Sequence, residues 1–211
     1  MTDFFRIASV VSGLFPVLTA IFVYRRLDKV LKLAAAFFLM NVLSDLLQVS
    51  TLAMGAKNNQ PVLHLNIILS VLFFIAIYYY ALIVPGLKKL ILITGGIAVL
   101  GLLYCLLFIN GIWDYPTWAN TILSLLAIFF SIVYFIQLLN RQEFVHIEKL
   151  GFFWINSAVL FYFSVTIFLF MLFPKIIASH QEDYYIINHI TNITTNIVFS
   201  VGLLCKPQKT N

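Results

Sequence analysis

The chain has 211 residues, of which 62% are apolar, 16% aromatic and 10% charged, against roughly 45–50% apolar and about 25% charged in soluble globular domains. That balance excludes a soluble enzyme or binding domain, and with only two cysteines, Cys105 and Cys205, no disulfide framework is implied. The net charge of +5 and the pI of 9.2 would suit a nucleic-acid surface only if the basic residues were grouped on a soluble face, and they are not.

Apolar runs of about 20 residues, enough to cross a bilayer as a helix, recur along the chain. Seven spans are expected: Phe4 to Tyr24, Val30 to Met54, Pro61 to Val84, Leu90 to Ile109, Thr117 to Leu139, Leu150 to Phe173 and Tyr184 to Cys205. None shows the period-two alternation of a membrane β-barrel strand. The expected fold is therefore all-α, a single polytopic seven-transmembrane-helix bundle over residues 1–211. The odd-numbered connections and the C-terminal tail hold Arg25, Arg26, Lys29, Lys32, Lys88, Lys89, Arg141, Lys149, Lys206 and Lys209, while the N-terminus and the other connections hold only Arg6, Lys57 and Lys175. By the positive-inside rule the N-terminus is expected outside and the C-terminus in the cytoplasm, in a multi-pass protein of the inner cell membrane. The basic balance then reflects cytoplasmic loops and implies no nucleic acid. Arg25 and Arg26 follow the first apolar run, and no small-residue cleavage site intervenes, so this run reads as an uncleaved span.

Span one contains Pro16, which is expected to interrupt its hydrogen-bond ladder. Span two carries Asn41, Ser44, Asp45 and Gln48 at the spacing that places all four on one helical stripe. An ionised Asp near the centre of a span costs about 2.5–3.5 kcal/mol, and no Lys or Arg lies deep in any span to offset it. Asp45 is therefore expected to be protonated, to bind a cation, or to be hydrogen-bonded by neighbouring helices. Span three begins with His64 and Asn66, has Ser70 one turn further in, and ends in Tyr78, Tyr79 and Tyr80, a run that reads as an interfacial aromatic belt. Gly95, Gly96 and Gly101 of span four permit close helix contact. Span five, almost without polar groups beyond Ser and Thr, is expected to face lipid. His146, in the longest cytoplasmic connection, is expected to be solvated. Span six brings Trp154, Asn156 and Ser157 near the cytoplasmic face, and the connection Pro174 to Asp183, with Lys175, His180 and Glu182, lies above the bundle mouth.

Span seven is the anomaly. Its run Asn188-His189-Ile190-Thr191-Asn192-Ile193-Thr194-Thr195-Asn196 sets amides, hydroxyls and an imidazole where polar groups are costly unless partnered. Tyr185, His189, Asn192 and Asn196 form one stripe. Counting rise per residue, His189 and Asn192 should match the depth of Asp45 and Gln48, and Asn196 that of Asn41. If spans two, three and seven adjoin, Asp45, Gln48, Asn41, His64, Asn66, His189, Asn192 and Asn196 converge on one ligand- or ion-binding pocket in the outer half of the bundle. The acceptor pattern Asn192-Ile193-Thr194 falls inside the bilayer, beyond the reach of glycosylation.

Several function classes share seven spans. A retinal protein needs a Schiff-base Lys in the last span, and none stands before Lys206. A zinc-dependent intramembrane hydrolase similar to the alkaline ceramidases needs three His; here only Asp45, His64 and His189 are available as ligands, and whether any metal or cofactor is used is left open. Chain length and topology resemble the SWEET sugar carriers, and Asn66-Ile67 with Ser70-Val71 lines up with Asn196-Ile197 and Ser200-Val201, although span two lacks the hinge proline of that family. The block Phe153-Trp154-Ile155-Asn156-Ser157, Tyr162-Phe163-Ser164 and Phe170, followed by the Asn-rich last span, resembles a group of uncharacterised bacterial seven-transmembrane proteins associated with sensor histidine kinases. That resemblance, confined mainly to the last third, implies a heptahelical sensor. Its ligand would be a small molecule, lipid or cation, and with loops this short its output would pass to a cytoplasmic signalling partner.

Overall fold

The computed structural model describes residues 2–109, 111–140, 146–178 and 183–205; residues 2, 3, 173–178 and 183–185 are described as backbone alone. The described chain is helical: α1 (Thr2–Ser12), α2 (Leu14–Val23), α3 (Lys29–Ala53), α4 (Gln60–Ala81), α5 (Pro85–Tyr104, continued by a π-helical turn Cys105–Ile109), α6 (Thr117–Leu139), α7 (Gly151–Ala178) and α8 (Asp183–Leu204). Among the described residues six segments are long and apolar enough to cross a membrane: Phe4–Arg26, Lys29–Ala53, Gln60–Ala81, Pro85–Ile109, Thr117–Leu139 and Gly151–Leu172. The protein is thus a multi-pass helical membrane protein. Helix α8 is as long as the others but falls outside that set, because its Asn, Thr and His residues lower its hydropathy.

Pro16 breaks the first segment as expected. Proline has no N–H to give the carbonyl four residues back, and its ring crowds that carbonyl, here that of Ser12, where α1 stops. Helix α7 runs past its expected end, so that Pro174 and Lys175 belong to it and not to a connection; His180 and Glu182 lie outside the described residues.

The helices pack in a ring. α1 and α2 lie against α8, α8 against α7, α7 against α6, α6 against both α4 and α5, and α4 against α3, which returns to α2. Two expectations are corrected here. α6 turns only one side to lipid, with Leu125, Phe129, Ile132 and Ile136 exposed, whereas Leu123, Ser124, Ala127, Phe130, Ser131, Tyr134 and Leu138 are buried, because α6 sits between α4, α5 and α7. Nor does Tyr78 belong to an interfacial belt. Consecutive helical residues point about 100° apart, so Tyr78 turns inward and is 1% exposed, Tyr79 is half-buried and Tyr80 is exposed.

Glycines set two of the closest approaches. A Cβ on Gly151 would fall 2.5 Å from the Gly202 carbonyl oxygen, and one on Gly202 2.8 Å from that of Gly151, so α7 and α8 meet backbone to backbone at the end where α7 starts. Gly95 admits the Ile75 side chain in the same way, whereas nothing lies within 4 Å of a Cβ on Gly96.

Candidate functional site

The polar residues of the half of the bundle that holds the start of α4 form several small networks. On α3 and α4, Ser44 Oγ donates to Asn66 Oδ1 at 3.2 Å, Asn66 Nδ2 to Asn41 Oδ1 at 3.3 Å, and Asn41 Nδ2 to the Phe37 carbonyl at 2.9 Å. Gln48 accepts from Asn59 Nδ2 at 3.2 Å. His64 is buried, with Nε2 3.2 Å from the Asp114 carbonyl oxygen. Beside it, Asn58 Nδ2 donates to the Trp113 carbonyl at 3.1 Å. These two bonds dock the α5–α6 connection onto α4 and its lead-in, so His64 holds a loop and lies apart from Asp45.

On α8 the amides turn toward α1. Asn192 Nδ2 donates to Ser9 Oγ at 3.3 Å and Asn196 Nδ2 to Ser12 Oγ at 2.9 Å, while Ser12 Oγ donates to the Ser9 carbonyl at 2.7 Å. His189 is half-buried and within electrostatic range of Arg6. The expected single pocket is therefore corrected. Asn41 and Asn66 are joined, Gln48 and His64 serve the α3–α4 and α5–α6 connections, and Asn192 and Asn196 bond Ser9 and Ser12. Neither serine stood out in the sequence, because small hydroxyls in an apolar run are usual.

Asp45 stands apart from all of these. It follows Ala34 by eleven residues and Phe38 by seven, spacings that keep a helical residue on one face, and both are buried at 0% and 9% exposure. The lipid-facing side of α3, with Leu39, Leu43 and Leu47, is opposite. Asp45 nevertheless is exposed. Protein crowds its wider surroundings, and the Tyr162 phenol of α7 is within electrostatic range.

Two turns along α3 from Asp45 the helices meet through aromatic rings. Phe38 of α3 meets Phe199 of α8 with ring centroids 3.9 Å apart, and Phe74 of α4 meets Phe37 at 5.0 Å and Phe163 at 5.6 Å. Asp45 lies seven residues after Phe38 on α3 and Asn192 seven before Phe199 on α8, so both stand two turns from one contact, on the same side of it and at one depth. Asn188 and Thr195 share the Phe199 side of α8 by spacing. The Asn188 Oδ1 and Thr195 Oγ1 atoms are buried without a hydrogen-bond partner, which is costly unless something donates to them. Together, the Asp45 carboxyl and these unpartnered oxygens suit a positively charged guest. Among the described residues no three His, Cys, Asp or Glu side chains lie together as a metal-ligand set.

A second buried network lies in the opposite half. The Tyr78 hydroxyl donates to Asn156 Oδ1 at 2.6 Å, so the 2.8 Å bond between Tyr78 and Ser131 has the serine as donor, and Asn156 Nδ2 donates to the Ser131 carbonyl at 3.2 Å. With every group satisfied and Ser131 and Asn156 at 0% exposure, it ties α4, α6 and α7 together and offers no access to a ligand. Gln137 Oε1 similarly accepts from the Ile83 and Val84 amides at 2.7 and 3.2 Å, bracing the α4–α5 link. Comparison with known proteins finds no family model, curated protein or solved structure that matches the chain.

Proposed function

We propose that this chain is a receptor-like membrane sensor that binds a cation or a small cationic ligand in the outer crevice between α3, α7 and α8. α8 serves as the seventh span, the N-terminus lies outside and the C-terminus in the cytoplasm of an inner cell membrane. The reading rests on Asp45, an accessible carboxyl on the inward stripe of α3. An intramembrane carboxyl is rare without a function. Asn188 and Thr195 add oxygen ligands from α8, and the Asn41–Ser44–Asn66 chain braces α3 against α4. The aromatic floor favours a bound ligand over a solute in passage, so sensing is preferred to SWEET-like transport. Output would reach a partner through the basic end, since the described connections there hold no domain.

Thermal unfolding of the purified protein in detergent provides the test. Sodium chloride or small primary amines should raise the midpoint relative to N-methylglucamine chloride at equal ionic strength. A ligand at a hundred times its Kd contributes about 2.7 kcal/mol. Asp45→Asn should abolish most of that shift while leaving the basal midpoint unchanged or raised, because it removes an isolated carboxylate. An Asp45→Asn protein that responds like wild type would refute the site.

A further inference from the structure

At the end of the bundle carrying Arg25, Arg26, Lys29, Lys32, Lys88 and Lys89, the start of α3 and the α4–α5 link enclose a cavity of about 210 Å³, lined by Lys29, Lys88, Tyr80, Ile83, Val30 and Asp28 among others. Its base is apolar, with Val30 2% exposed. Two ammonium groups are steadied beside it on aromatic rings: Lys29 Nζ lies 3.5 Å from the Tyr80 ring centroid and Lys88 Nζ 5.4 Å from that of Tyr79. Cation–π contact holds a lysine in place while leaving its positive charge uncancelled. The carboxylate at the rim, Asp28, caps α3 by accepting from the Leu31 amide at 2.8 Å. On the far wall α5 begins with Pro85 and no side-chain cap, so its first turn adds partial positive charge.

An apolar base under a cationic mouth, at the level where a bilayer meets water, fits a particular chemistry. The phosphate of a phospholipid would sit between Lys29 and Lys88, with its glycerol and acyl stem descending along the exposed side chains of Ile83 and Val84. Lysine binds phosphate as a compact point charge, and basic pockets at helix ends recruit anionic headgroups. We propose that this cavity is a binding site for the phosphate headgroup of an anionic membrane lipid. It is independent of the Asp45 crevice and rests only on this end of the bundle lying at the membrane surface.

Native mass spectrometry of the detergent-purified protein, titrated with phosphatidylglycerol, phosphatidylcholine or inorganic phosphate, decides the matter. Phosphatidylglycerol should be retained several-fold more than phosphatidylcholine. The double variant Lys29→Gln, Lys88→Gln should lose that preference, whereas Lys57→Gln, at the other end, should keep it. Inorganic phosphate at millimolar concentration should not displace the lipid. Should the double variant fail to fold, Lys88→Gln alone and the wild-type comparison of the two lipids carry the test. Equal retention of both lipids by wild type, an unchanged preference in the lysine variants, or displacement by inorganic phosphate would overturn the proposal.

Discussion

Tyr78 shows how much one phase angle decides. In the sequence it is the first of three tyrosines at a span end; in the fold its hydroxyl lies 2.6 Å from Asn156 and 2.8 Å from Ser131. Removing that hydroxyl strands two buried polar groups, which costs about 1–3 kcal/mol. Tyr78→Phe should therefore lower the thermal midpoint in detergent, and Tyr79→Phe, which removes a hydroxyl from a half-buried ring one position on, should leave it nearly unchanged. Equal effects would mean that the triad contributes nothing beyond ring packing. Composition points to the polar residues of α3 and α8, because each interrupts an apolar run, and spacing brings Asp45 onto the inward stripe. Their partners were less legible. Asn192 and Asn196 bond Ser9 and Ser12 because α8 packs on α1 and α2, and helix adjacency is a property of the whole ring that no local pattern encodes.

Between elements, the α7–α8 crossing is the most demanding contact. A methyl on Gly202 meets the Gly151 carbonyl oxygen and Ile155 Cγ1, both at 2.8 Å, and the backbone cannot yield as a side-chain end can. Overpacking of this kind costs about 1–3 kcal/mol. Gly202→Ala should lower the midpoint accordingly, whereas Gly96→Ala, in open space, should be neutral or stabilising by about 0.5–1 kcal/mol through helix propensity. Thermal unfolding of both variants checks the pair; comparable losses would argue against a backbone contact between α7 and α8. The glycines of α5 draw attention in the sequence because three stand close together. Gly151 and Gly202 are 51 residues apart, and only the fold makes them neighbours. Span boundaries were legible to within a few residues except at α5, which starts at Pro85 and not Leu90, and at α7, where the helix continues through Pro174 to Ala178.

For the whole molecule, the class was written in composition and the helices in run length, since both follow from the bilayer's demand that every backbone group be bonded within its own segment. Orientation can be read directly by labelling. In a background of Cys105→Ser and Cys205→Ser, Lys57→Cys should react with a membrane-impermeant maleimide applied outside intact cells, and Lys89→Cys only after permeabilisation. The reverse pattern would invert the topology and move the Asp45 crevice to the cytoplasmic side. The aromatic layer of Phe38, Phe199, Phe74 and Phe163 also shapes the electric field. Water and ions filling the crevice above it would conduct, so the membrane potential would fall mainly across these rings and the tightly packed half beneath. The full drop is worth about 2.3 kcal/mol per elementary charge per 100 mV, and a cation resting on Asp45 would feel little of it. In the proposed topology, occupancy there would follow the concentration outside the cell and stay nearly blind to whether the membrane is energised.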